Sequence, residues 1–104
     1  MEESKKILLK IHNSYRIVAA VCDKELIGKK LEEGQRQLDL TGSFFKGEEV
    51  TKKRLNEEIK RLLAEDATFN IVGEESINFF KEKKLIKEEG IKKIEGIPLA
   101  LILL

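Results

Sequence analysis

Residues 97–104, Ile-Pro-Leu-Ala-Leu-Ile-Leu-Leu, are the most apolar stretch of the chain and constrain its fold more than any other segment. Seven of the eight are hydrophobic and none is charged. The run is too short for a membrane-crossing helix, which needs about 20 apolar residues. It also lacks the alternation of a strand with one wet face. These features predict a strand buried on both sides, with Pro98 near its start, where a missing N–H is tolerated. A terminal segment this apolar is expected to be tied into a sheet rather than to fray.

The upstream pattern supplies the rest of that sheet. Ile7–Ile11 and Arg16–Cys22 are apolar runs joined by His12-Asn13-Ser14-Tyr15, whose Asn and Ser suit a turn, so an antiparallel hairpin is expected. Asp23 suits the N-cap of a short turn over Lys24–Ile27, closed by Gly28 in the left-handed conformation. Residues 29–34 read as a charged connector, and Arg36–Leu40 alternates as a half-buried strand.

Thr51 is a good N-cap, and Val50 can contact Leu55 as a hydrophobic staple. Leu55, Ile59, Leu62 and Leu63 form one helical stripe, with charge pairs expected for Arg54–Glu58, Glu57–Arg61 and Arg61–Glu65. Residues 67–72 fit either a helical turn or an extended link. Gly73 precedes a second helix, opened by Glu74-Glu75 and running to Leu85-Ile86. Phe79 falls off the Ile77–Phe80 stripe, which predicts cover on more than one side. Ile91–Ile94 and the terminal run are expected strands, separated by a tight turn at Glu95-Gly96. The sum is one α+β domain over residues 1–104, a mostly antiparallel sheet of about four to six strands with two main helices packed on it.

Charge narrows the function classes. Net charge is +1, from 20 basic and 19 acidic residues, and the two halves of the chain are nearly balanced. No global field draws the chain to nucleic acid or to a membrane. Strong autonomous nucleic-acid binding is disfavoured, whereas docking on a larger particle is compatible. Charged residues reach 38% and are mostly Lys and Glu, a balance reported for proteins from hot environments. A single cysteine, Cys22, suggests a reducing cytoplasm, and no signal-peptide pattern is visible.

Few residues carry obvious chemistry. One Cys and one His give no zinc spacing, and the carboxylates come as surface doublets, so no metal is expected. P-loop and dinucleotide glycine patterns are missing, so no cofactor is expected either. Cys22 at the end of an apolar run reads as a buried structural thiol. His12 reads as a turn residue, with a Cys22–His12 catalytic pair as the sharper alternative. The best candidate binding set is Lys29, Lys30, Arg36, Phe45 and Lys46, where cations and paired aromatics meet without a helical pattern to explain them. Phe45 is either a stacking platform or a core residue; alternation from Leu40 does not decide.

Val21-Cys22-Asp23-Lys24-Glu25-Leu26-Ile27-Gly28-Lys29, Phe44-Phe45-Lys46-Gly47, Asn70-Ile71-Val72-Gly73-Glu74 and Gly96-Ile97-Pro98 together resemble a small archaeal family of about 100 residues, a domain of unknown function. The resemblance covers essentially the whole chain. It implies a link to the translation apparatus rather than an enzymatic activity. The family's last motif often reads Gly-x-Pro-His-Ala, whereas here Leu99 follows Pro98. Any chemistry of that histidine is therefore closed to this chain. The reading is a non-catalytic interaction module of the archaeal cytosol, with RNA or a ribosomal particle as partner and no membrane. The alternatives are a small enzyme or ligand-binding domain using the Gly28, Asn70 and Gly73 loops, and a homodimer formed through an exposed strand edge.

Overall fold

The computed structural model describes residues 6–103. β1 (Ile7–His12) and β2 (Val18–Asp23) form the expected antiparallel hairpin, with Ile7 opposite Asp23 and His12 opposite Val18. Residues 29–34, expected as a charged connector, instead contribute β3 (Lys30–Glu33), which pairs with β4 (Arg36–Asp39) in a small separate sheet. Leu31 is what the charge pattern concealed: it is the one buried residue of β3, and it turns that strand inward.

β5 (Glu48–Val50) adds to the outer side of β1. It leads into α1 (Lys52–Ala64), whose first turn is capped as expected: Thr51 Oγ1 accepts from the Arg54 N–H at 3.1 Å. Val50 and Leu55 are both buried in one cluster, along with Ile59 and Leu62. The Arg54–Glu58 and Arg61–Glu65 pairs form at 3.4 and 3.0 Å. Arg61 takes its other carboxylate from Glu58 at 3.0 Å rather than from Glu57, which places Glu58 between two guanidinium groups. Those hydrogen-bonded arginines hold the Glu58 carboxyl below its ordinary pKa.

The ambiguous segment after α1 is a strand, β6 (Thr68–Val72), and it lies parallel to β2. A parallel neighbour needs a long crossover, which α1 supplies. α2 (Glu74–Glu82) follows after Gly73 and stops short of Leu85. Ile77, Phe79 and Phe80 are all buried, in accord with a helix covered on more than one side. β7 (Lys92–Ile94) and β8 (Ile97–Ile102) are joined by Glu95 and Gly96, whose φ angles of 52° and 78° fit a type I′ hairpin turn.

The main sheet runs β5-β1-β2-β6-β8-β7. One face carries Leu9, Val21, Phe69, Ile71 and Ala100 and is covered by α1 and α2. The other carries Ala20, Cys22 and Val72 and is covered by the β3–β4 hairpin and the loop through Leu40 and Phe45. β8 is therefore an interior strand near its start but not along its whole length. Pro98 and Ala100 are buried, whereas Leu101 is 54% and Leu103 71% exposed. The expectation of burial on both sides thus holds for only half of the strand, because the hairpin is too short to roof the rest. Pro98 costs the ladder little. Its carbonyl accepts from the Gly73 N–H at 2.8 Å, and the Gly73 carbonyl, left without a Pro N–H, accepts from the Ile77 N–H at 2.9 Å.

Candidate functional site

The half of the second sheet face that the hairpin leaves unroofed is defined by strand register. Lys10, Ala20, Asn70 and Leu101 lie side by side across β1, β2, β6 and β8, and directly paired residues point to the same face. His12 and Val18 form the next row with Thr68. Along these rows Lys10, His12, Val18 and Asn70 are half-buried and Leu101 is exposed.

The loop after β4 places an aromatic over this region. Phe45 is only 7% exposed and packs in the second cluster, which anchors the loop, while Phe44 stays 42% exposed. The Phe44 ring stacks on His12 with centroids 4.5 Å apart and planes 12° from parallel. His12 Nε2 donates to the Phe44 carbonyl at 2.9 Å, and the Phe44 and Phe45 rings meet edge-on at 4.9 Å. Gly47 then crosses β1 so closely that a Cβ there would lie 2.2 Å from the Leu9 carbonyl oxygen. Phe44 is thus an exposed ring held in a fixed orientation. Lys10 and Lys46 line a groove of about 350 Å³ together with Glu48, Arg54 and Glu58.

The sequence candidates separate in space. Lys46 is exposed two residues beyond Phe44 in the same loop. Lys29 and Lys30 are exposed at the foot of the small hairpin, and Lys30 pairs with Glu32 at 3.4 Å. Arg36 braces the hairpin against β7, donating to Glu33 Oε2 and to the Lys93 carbonyl, both at 2.9 Å. The β1 and β7 ends of this assembly are four strands apart, or about 19 Å at the usual inter-strand spacing. Phe45 is in the core, and the ring that remains available is its neighbour. Irregular loop backbone separates Leu40 from Phe44, so no periodicity marks which of the two rings faces out. His12, expected in the turn, is the last residue of β1, and its stacking role carries no local sequence signal.

A second constellation gathers at the other end of the sheet. Asp23 does not cap the turn that follows it. Its buried carboxylate crosses to the start of α2, where Oδ2 accepts from the Glu75 N–H at 3.0 Å. Oδ1 accepts from the Ser76 N–H at 2.8 Å and from the Ser76 hydroxyl at 2.7 Å. A carboxylate there satisfies free helix donors and meets the positive end of the helix dipole. The adjoining cavity of about 490 Å³ is lined by Lys6, Asp23, Lys24, Glu25 and Glu75. Lys24 is paired with Glu49, and Glu75 lies 3.6 Å from Lys52. Gly28, Asn70 and Gly73 do not line this cavity.

Cys22 is 0% exposed, and burial, with the neighbouring Asp23 charge, pushes its thiol up to about 12. His12 lies four residues along β1 from Leu8, the partner of Cys22, which is about 13 Å of strand. The two do not form a pair. A thiol reagent at neutral pH is expected to label Cys22 only as fast as the domain opens, since both access and thiolate are missing. Rapid stoichiometric labelling of the folded protein contradicts this. Among the described residues no group of three or more His, Cys, Asp or Glu side chains could hold a metal ion, and no helix is long and apolar enough to cross a membrane.

Comparison with known proteins agrees with this architecture. A crystal structure of an uncharacterized conserved protein from Methanopyrus kandleri superposes with a TM-score of 0.80, covering 92% of this chain and 89% of that one at 24% identity. At that identity the likeness speaks for the fold. No curated protein matches the chain. Residues 11–104 match the family described as a protein of unknown function, DUF424, which spans every strand from β2 onward, both helices and the Asp23–Ser76 contact. The chain belongs to that family.

Proposed function

We propose that this protein is a non-catalytic interaction module of the archaeal cytosol that docks on RNA within a ribonucleoprotein particle such as the ribosome. The observation that carries the reading is the Phe44 ring, exposed and stacked on His12 at a half-unroofed sheet face, with Lys46 two residues on in the same loop and Lys10 in the adjoining row of β1. A fixed aromatic ring offers a base its π-face, and adjacent lysines offer phosphate contacts. Asn70, half-buried in the same face, supplies an amide that can bond a base edge. Overall charge near zero suits a module that adds contacts to a particle rather than one that binds free RNA tightly. Lys29 and Lys30 lie apart from this ring on the small hairpin, while Arg36 and Phe45 serve the scaffold. The competing enzyme reading draws no support from Cys22, whose thiol is buried and unpaired with His12.

The test is fluorescence anisotropy with a labelled single-stranded U-rich oligonucleotide at low salt. Phe44→Ala is expected to weaken binding by about 1–3 kcal/mol, the usual worth of one stacked base. Lys46→Gln is expected to lower the log–log salt slope by about 0.7. Replacing Lys81, Lys83, Lys84 and Lys87 with Gln should change neither quantity beyond a small non-specific loss. Unaltered affinity in Phe44→Ala, or a greater loss in the quadruple variant, removes this surface from consideration.

A further inference from the structure

We infer that the outer edge of β8 beyond Leu99 pairs with the same edge of a second copy of this chain, joining two sheets across a twofold axis. β7 covers β8 only from Ile97 to Leu99, so among the described residues no strand pairs with Ala100–Leu103 on that side. The direction of the backbone groups follows from the register. Pro98 faces β6, since its carbonyl accepts from Gly73, and alternation turns Ala100 and Ile102 the same way. Leu101 and Leu103 therefore present their N–H and C=O groups outward, and both side chains are exposed as well.

Exposed edges are commonly guarded by charge. The two outermost strands of this sheet obey that rule, with Glu48 and Glu49 on β5 and Lys92 and Lys93 on β7. Residues 100–103 carry no charge and no proline. An identical partner fits such an edge without further requirement. Antiparallel pairing about Ile102 sets Leu101 opposite Leu103 of the second copy and Leu103 opposite Leu101, so the outward backbone groups of both copies meet in register. The four leucines then lie on one face as two cross-strand pairs, covering apolar surface that a monomer leaves wet. No like charges approach one another. The unroofed faces of the two copies become one surface with a Phe44 ring toward each end, although the pairing does not depend on what that surface binds.

Sedimentation equilibrium over 5 to 500 μM protein reads the outcome. The expected result is a rise toward twice the monomer mass, abolished in the double variant Leu101→Lys, Leu103→Lys, whose melting temperature matches that of the parent at dilutions where the parent is monomeric, since both side chains are already exposed. Ile102→Cys is expected to cross-link across the axis when oxidised glutathione accepts the two electrons, with buried Cys22 left unmodified. A monomer throughout the range overturns the inference, as does a dimer that persists in the double lysine variant. Failure of Ile102→Cys to cross-link in a chain that dimerises overturns the register.

Discussion

Removing residues 99–104 is expected to leave a chain that does not fold. Leu104 lies outside the described residues, and the loss follows from the other five. Leu99 packs against the second core cluster, while Ala100 belongs to the first and Ile102 packs against it, so the deletion uncovers both faces of the sheet. β6 loses its antiparallel partner, and β7 loses the one strand with which it pairs among the described residues. Half-buried Leu99 and Ile102 with buried Ala100 contribute about 2–4 kcal/mol together, and the lost ladder leaves backbone groups of β6 unpaired next to the core at about 1–3 kcal/mol each. That sum reaches the whole stability of a typical domain, about 5–15 kcal/mol. By contrast, Leu101→Ser together with Leu103→Ser is expected to cost the monomer about 0.5 kcal/mol or less, because both side chains are largely solvated. Circular dichroism melting separates the two: a cooperative transition in the deletion variant near the parent temperature contradicts the role assigned to β8.

The Asp23–Gly73 contact is expected to produce the next largest effect. Asp23→Ala strands the N–H groups of Glu75 and Ser76 and the Ser76 hydroxyl at a buried helix start, which should cost about 3 kcal/mol. Gly73→Ala should cost a comparable amount for two separate reasons. Its φ of 109° is a conformation that L side chains rarely adopt, and an added Cβ would sit 2.3 Å from Asp23 Cγ. That carboxylate cannot retreat without releasing its three donors. The double variant relieves the clash while keeping the backbone strain, so its cost is expected to fall short of the sum by about 1 kcal/mol or more. Urea denaturation of the four proteins measures this coupling. Additive costs, or a loss under about 1 kcal/mol in Asp23→Ala, contradict the description of this contact.

These two regions also mark what the sequence could and could not express. Local devices were legible: Thr51 as a cap, Val50 against Leu55, the α1 stripe and the Glu95-Gly96 turn all depend on neighbours within a few residues. Asp23 was read as a local cap because it precedes a short turn, yet its partners lie 52 and 53 residues away. β3 was hidden because its single inward residue, Leu31, stands among charges that suit a strand lying on a core rather than inside one. Residues 67–72 were ambiguous because a strand buried on both faces has no period, and its parallel pairing with β2 is fixed only by the crossover through α1. The same lack of period in the terminal run concealed the difference between its roofed and open halves. At the candidate site, Lys46 was visible as part of a cation–aromatic cluster, whereas the choice between Phe44 and Phe45 depends on how an irregular loop is anchored.

Chemical-shift mapping of amide resonances during titration with single-stranded RNA tests the assignment of the docking surface most directly. The expected perturbations fall on Lys10, His12, Val18, Phe44, Asn70 and Leu101, which strand register and the Phe44–His12 stack bring to one face, and on Lys46 in the adjoining loop. Perturbations confined to α1 and α2, or none at millimolar RNA, contradict the account.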